Sequence, residues 1–188
     1  MATHLAISPA RFEAECRALY HEVEAITNGL SKAQFNWQPD GGRRWSIAQC
    51  LDHLTKGNLV YVAPLEQAIA RATPRQGREP GVPNGFARWF IGQLEPPVRT
   101  RMKAPSKIIP GTDLDPVEAR QAFDASVDRV KELLDRAWTI ELSRTRFWNP
   151  FIHLPVFNVA SAFLISLAHM RRHIAQAGAV RSHPDFPV

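Results

Sequence analysis

The stretch "VASAFLISLAHMRRHIAQAGAV", residues 159–180, decides the fold. It contains no proline and no strand-like alternation, and Asn158 before it is a good helix cap. Its first half, "VASAFLISLA", is apolar nearly all round. A helix of that kind is buried by neighbours on every side. The apolar run from Val156 to Met170 is too short, and too broken by Asn158, Ser161 and Ser166, to span a bilayer. The rest of the chain must therefore supply helices that wrap this one.

Three more helices are legible. The first opens at Ser8 with Pro9 in the first turn, where the missing N–H is harmless. Phe12, Cys16, Leu19, Val23, Ile26 and Leu30 recur at helical spacing, and Gly29 stops the run. The second opens at "WSIAQCLDHL", where Ser46 and Gln49 form a capping box and Trp45 can staple onto Cys50. Its apolar face runs through Ile47, Cys50, Leu51, Leu54, Tyr61, Leu65 and Ala68, and it is expected to end near Ala72. The third opens at "DPVEARQAF", with Asp115 as cap, Pro116 first and Glu118 completing a box. Phe123, Val127, Val130, Leu134 and Ala137 make its stripe.

Residues 73–114 hold seven prolines, which rule out one long helix. "NGFARWFIGQLE" can form a short helix there, and a crossover of this length inside a compact domain is usually functional or disordered. Only "WTIELSR" hints at a strand. The expected fold is all-α: a single domain over residues 1–188, packed as a four-helix bundle with a long irregular crossover between helices 2 and 3.

Composition narrows the function classes. A chain of 188 residues with 45% hydrophobic side chains reads as one soluble globular domain. The N-terminus shows no basic stretch followed by an apolar core, so no signal peptide is expected. Cys16 and Cys50 are the only cysteines, which gives no disulfide framework and fits a reducing, cytoplasmic home. The net charge of +5 is local. Residues 71–107 carry Arg71, Arg75, Arg78, Arg88, Arg99, Arg101, Lys103 and Lys107 against Glu79 and Glu95, or +6, whereas the remainder carries 15 basic and 16 acidic side chains. No nucleic-acid-binding signature accompanies the segment, so a solvated loop, or one that contacts an anionic small molecule, is favoured over nucleic acid.

Within "HMRRHIAQ", residues 169–176, His169 and His173 stand four apart. They lie about 40° from each other around the helix. Seven histidines in this chain would produce such a pair by chance about one time in four. Both, however, project from the edge of a buried face, where an unpartnered ring nitrogen costs about 1–3 kcal/mol. A metal would satisfy them. His53, at the edge of the second helix's apolar stripe, is the best third ligand. Three histidines from two helices, with one coordination position open, match a catalytic rather than a structural metal site. Ordinary core histidines remain the alternative reading of the spacing alone. Met170 stands where the zinc-protease H-E-x-x-H motif needs its glutamate, so that mechanism has no base here. Cys50 is better read as core than as a fourth ligand. His21 is a possible extra, and His4, His153 and His183 fall in expected loops or tails.

These residues resemble the DinB-like, or DinB/YfiT-like, superfamily of metalloenzymes. "FNWQPDGGRRWSIAQCLDHL" is similar to that family's second helix, with His53 as ligand. "HMRRHIAQ" is similar to its H-x-x-R-H-x-x-Q signature, placing His169, Arg172, His173 and Gln176. The tail "HPDFP" and the linker "MKAPSKIIPG…LDPVEAR" are also similar, so the resemblance covers nearly the whole chain. It implies a bundle of up-down-down-up topology, a divalent metal (zinc, nickel or iron) on the three histidines, and a homodimer. It also implies chemistry of the thiol-transferase kind, with a low-molecular-weight thiol as co-substrate. The expectation is thus a metal-dependent transferase or hydrolase, activating water or a thiol against a small, anionic substrate. The alternative is a non-catalytic metal- or ligand-binding module in regulation or stress. Catalytic acid–base residues are not identified.

Overall fold

The computed structural model describes residues 5–77, 79–97 and 103–188. His4, Arg78, Arg99 and Arg101 lie outside that set. Most of the chain is helical: α1 (Pro9–Thr27), α2 (Lys32–Asn36), α3 (Pro39–Gly42), α4 (Ile47–Leu59), α5 (Val62–Ala70), α6 (Gly85–Leu94), α7 (Pro116–Ala137) and α8 (Val159–Arg181). The starts follow their capping chemistry. The Ser8 hydroxyl accepts from the Arg11 amide, and the Ser46–Gln49 box is formed in both directions. The Asp115 carboxylate accepts from the amides of Val117 and Glu118. Asn158 caps α8 through Ser161 and also donates to the carbonyls of Val82 and Ser143. The connection before α4 turns through left-handed Asp40, Gly41 and Gly42.

Helix α8 is the centre of the molecule. It packs against α1, α4 and α6, while α4 and α1 also pack on α7. Phe163, Leu167, Ala168, Met170 and Ile174 are fully buried on it, and Phe12 of α1 meets Phe163 edge-on at 6.2 Å. A buried polar tie joins three helices. Asn58 of α4 donates to Ser126 of α7 at 3.1 Å and accepts from Ser166 of α8 at 3.0 Å. Outside it, Arg171 of α8 bonds both Glu15 of α1 and Glu95 after α6.

The structure corrects the sequence reading in two places. The second helix, expected to run to Ala72, is broken at Val60–Tyr61 into α4 and α5. Pro64 is the physical reason: it lacks an N–H for the Val60 carbonyl, and its ring crowds that carbonyl. The strand hint also moves. Only Ile140 of "WTIELSR" forms a bridge, to Pro74; the paired strands are β1 (Arg146–Phe147) and β2 (Phe157–Asn158), two residues each. The crossover is partly ordered as expected, with Asn84 capping α6 and a 3-10 turn at Ser106–Ile108. No helix among the described residues is long and apolar enough to cross a membrane.

Candidate metal centre

The site is built where α8 crosses α4. Helix α4 packs directly on α8 and is tied to it by the Asn58–Ser166 bond, which brings His53 to the face that carries His169 and His173. Ring nitrogens of the three histidines lie within 4.8 Å of one another, and the Nε2 atoms of His53 and His169 are 3.0 Å apart. A tetrahedral ion with metal–nitrogen bonds of about 2.0–2.1 Å places its ligand atoms about 3.3 Å apart. The observed spread brackets that value.

Hydrogen bonds determine the tautomers. His53 Nδ1 lies 2.7 Å from the Ile108 carbonyl oxygen, which can only accept. Nδ1 therefore carries the proton and Nε2 presents a bare lone pair. The same logic holds for His173, whose Nδ1 donates to the Gln176 side-chain oxygen at 3.0 Å. Two buried residues thus carry bare Nε2 lone pairs in a cluster whose ring nitrogens lie within 4.8 Å of one another. That is the donor set and orientation that a divalent cation takes, with the outer bonds already in place. His169 packs against Gly57: a Cβ there would sit 3.0 Å from its Cε1 and 3.2 Å from its Nδ1.

The electrostatics keep the imidazoles neutral. Burial pushes His173 down to about 3, helped by neighbouring His53 and the Arg172 guanidinium. His169 is driven well below its ordinary value by burial, then by His173, His53 and Arg172. For His53, burial outweighs the raising effect of its Ile108 bond and of Asp52, and the net shift is downward. Neutral imidazole is the metal-binding form.

The indole of Trp45 lies over the site, 4.7 Å from the His53 ring and 5.6 Å from the His173 ring. The capping motif at Ser46 points Trp45 toward Cys50; the structure places its ring against the histidines. From His169 a small cavity extends between α4, α5, α7 and α8, lined by Asn58, Tyr61, Leu133, Ala162 and Ser166 among others. Ile108 is the partner that sequence reasoning missed, because a backbone carbonyl leaves no residue-type signal. The other candidates lie elsewhere. His21 and His153 are exposed, and His183 packs at a tilt against Trp37. Cys50 is fully buried in the core and outside the cluster, as expected. In the basic crossover, the Arg75 guanidinium lies over Trp138 at 3.9 Å, and Lys107 donates to the Pro150 carbonyl, so two of its cations serve the fold.

The sequence profile of the DinB superfamily matches residues 15–177, which include all three histidines. The chain belongs to the DinB superfamily. No curated protein and no solved structure matches it. The all-α content and the clustered histidines agree with that membership, as the motifs in "WSIAQCLDHL" and "HMRRHIAQ" anticipated. This DinB-like chain therefore carries a histidine cluster able to bind a metal ion.

Proposed function

We propose that this DinB-like protein is a metal-dependent enzyme whose ligands are His53, His169 and His173. The reading is carried by one observation: the bonds of His53 to Ile108 and of His173 to Gln176 leave two buried Nε2 atoms unprotonated within a cluster of three imidazoles whose ring nitrogens lie within 4.8 Å. A divalent ion there, whether zinc, nickel or iron, would lower the pKa of a water or low-molecular-weight thiol at an open position and ready it for hydrolysis or transfer. Ile108 and Gln176 hold the ligand rings. Trp45 shields one side of the centre, and the buried Arg172 guanidinium, which donates to the Gln93 carbonyl, adds positive potential beside the histidines that would favour an anionic small-molecule substrate.

The proposal extends to the architecture and setting. Residues 1–188 form one domain, a four-helix bundle of α1, α4, α7 and α8 in up-down-down-up order, acting as a homodimer in the cytoplasm. Nucleic acid is not its partner. A second reading, a metal- or ligand-holding regulatory module without turnover, draws on the Asp52 carboxylate. This group stands next to His53 in sequence but is occupied by Lys56 and the Gly111 amide, and Met170 sits where a base could stand.

The deciding experiment is metal analysis of protein purified without added metal, paired with His169→Ala. Stoichiometric metal in the wild type and its loss in the variant are expected. A wild type that binds no zinc, nickel or iron and whose melting ignores chelator refutes the proposal. Turnover of thiol and electrophile pairs by the metal-loaded protein then separates the enzyme from the silent module.

A further inference from the structure

We infer that Asp52 and Lys56 are positioning residues for the metal centre: they fasten residues 108–111 of the crossover to α4, so that the Ile108 carbonyl holds His53. This rests on the metal-site reading above and adds to it the groups that set the orientation of one ligand.

The geometry is a strap with successive fastenings. His53 Nδ1 donates to the Ile108 oxygen at 2.7 Å. Lys56 Nζ donates to the next carbonyl, Ile109, at 3.0 Å. The Gly111 amide donates to Asp52 Oδ2 at 2.7 Å, and the same oxygen accepts from Lys56 at 2.8 Å. Asp52, His53 and Lys56 occupy adjacent positions on one turn of α4, so a single helical turn grips the strap at three places.

The strap needs this grip. Ser106, Lys107 and Ile109 are exposed, and between Pro105 and Gly111 only Ile108 and Pro110 are buried. The segment reaches His53 from 55 residues away in sequence, so no local turn holds it there. An Asp–Lys pair four apart is by itself an ordinary surface pair. Here each partner also bonds the backbone of the strap, Lys56 at the Ile109 carbonyl and Asp52 at the Gly111 amide. Through Lys107, which donates to the Pro150 carbonyl, the strap is also tied to the turn of residues 149–154.

Linkage runs in both directions. When Nε2 of an imidazole engages a cation, its Nδ1–H becomes a stronger donor and its carbonyl partner is held more firmly. Loosening the strap must weaken metal binding, and metal binding must tighten the strap.

The test uses the full chain and zinc itself, measured by competition with a chromophoric chelator, together with hydrogen exchange at the Gly111 amide by NMR. Asp52→Ala is expected to weaken zinc binding about tenfold or more, the range found for outer-sphere partners of metal ligands. Lys56→Met, which keeps the aliphatic stem, weakens it by a smaller factor. Zinc slows Gly111 exchange in the wild type and not in Asp52→Ala. His21→Ala, an exposed control, binds like the wild type. Unchanged zinc affinity in Asp52→Ala and Lys56→Met overturns the inference. So does a loss confined to the melting temperature of the chelated protein, which would make Asp52 merely structural. If Asp52→Ala does not fold, Lys56→Met and the wild-type exchange response decide. Failure of the underlying reading looks different: the wild type then binds no zinc that His169→Ala removes.

Discussion

Gly57→Ala separates the metal centre from the fold that carries it. Gly57 lies inside α4, where glycine is about 1 kcal/mol worse than alanine. On propensity alone the substitution stabilises the protein. The new Cβ, however, falls 3.0 Å from His169 Cε1. Carbon–carbon contacts relax at about 3.5–4.0 Å, so the imidazole must retreat by about half an ångström or more. A metal ligand tolerates about 0.2 Å. The displacement is therefore small for packing and large for coordination. Metal affinity should fall at least about tenfold, or about 1.4 kcal/mol. The metal-free protein should change by less than about 1 kcal/mol, the propensity gain offsetting the contact. The assay is paired: urea unfolding of chelated protein, and zinc competition at neutral pH. Undiminished zinc affinity would refute the argument that His169 is held against α4 as a ligand. A loss above about 2 kcal/mol in the chelated protein would instead show the contact to be part of the core, as for other overpacked sites.

Three further outcomes follow from the same structure. Asn158→Ala removes the α8 cap together with two donated bonds to Val82 and Ser143, and should lower stability by about 2 kcal/mol or more in urea unfolding. Phe163→Ala, in the core against Phe12, should cost about 3–5 kcal/mol, read as a shift in urea midpoint without change in slope. In chelated protein, the three histidines are depressed on folding, so the unfolded chain binds more protons below its histidine pKa of about 6.5. Stability should therefore be full above that pH and fall as acid is added, by up to about 1.4 kcal/mol per pH unit for each histidine, toward the value of about 3 for His173. A profile flat from neutrality to pH 5, or one unaltered by His173→Gln, would contradict the assignment.

Helix starts were the most legible feature of the chain, because capping is local chemistry. Ser8, Ser46, Asp115 and Asn158 each cap where their sequence context says they should. The break at Val60–Tyr61 is equally local, set by Pro64, but the apolar stripe continues across it through Tyr61 and Leu65 and so masks it. The histidine pair on α8 was legible from spacing, and His53 from its place on an apolar edge. What joined them, the Asn58 tie and the crossing of α4 over α8, is tertiary and leaves no periodic trace. Trp45 was assigned to a generic staple because a capping motif says which residue leads into a helix, not which ring it will cover. Ile108 could not be seen at all: its contribution is a carbonyl that every residue owns.

His169 and His173 are four residues apart, whereas His53 is 116 residues from His169. The proposed ligand set is therefore two-thirds local and one-third distant, which matters for the order of events during folding. An unfolded chain can offer the neighbouring pair to an ion before any tertiary contact exists, and such capture subtracts from the stabilisation the ion gives the native state. A third bond, to His53, would close a loop whose entropy is about 4 kcal/mol. A metal held here would thus be a clamp whose third bond engages late, adding little to α8 itself and much to the joining of α4 to α8.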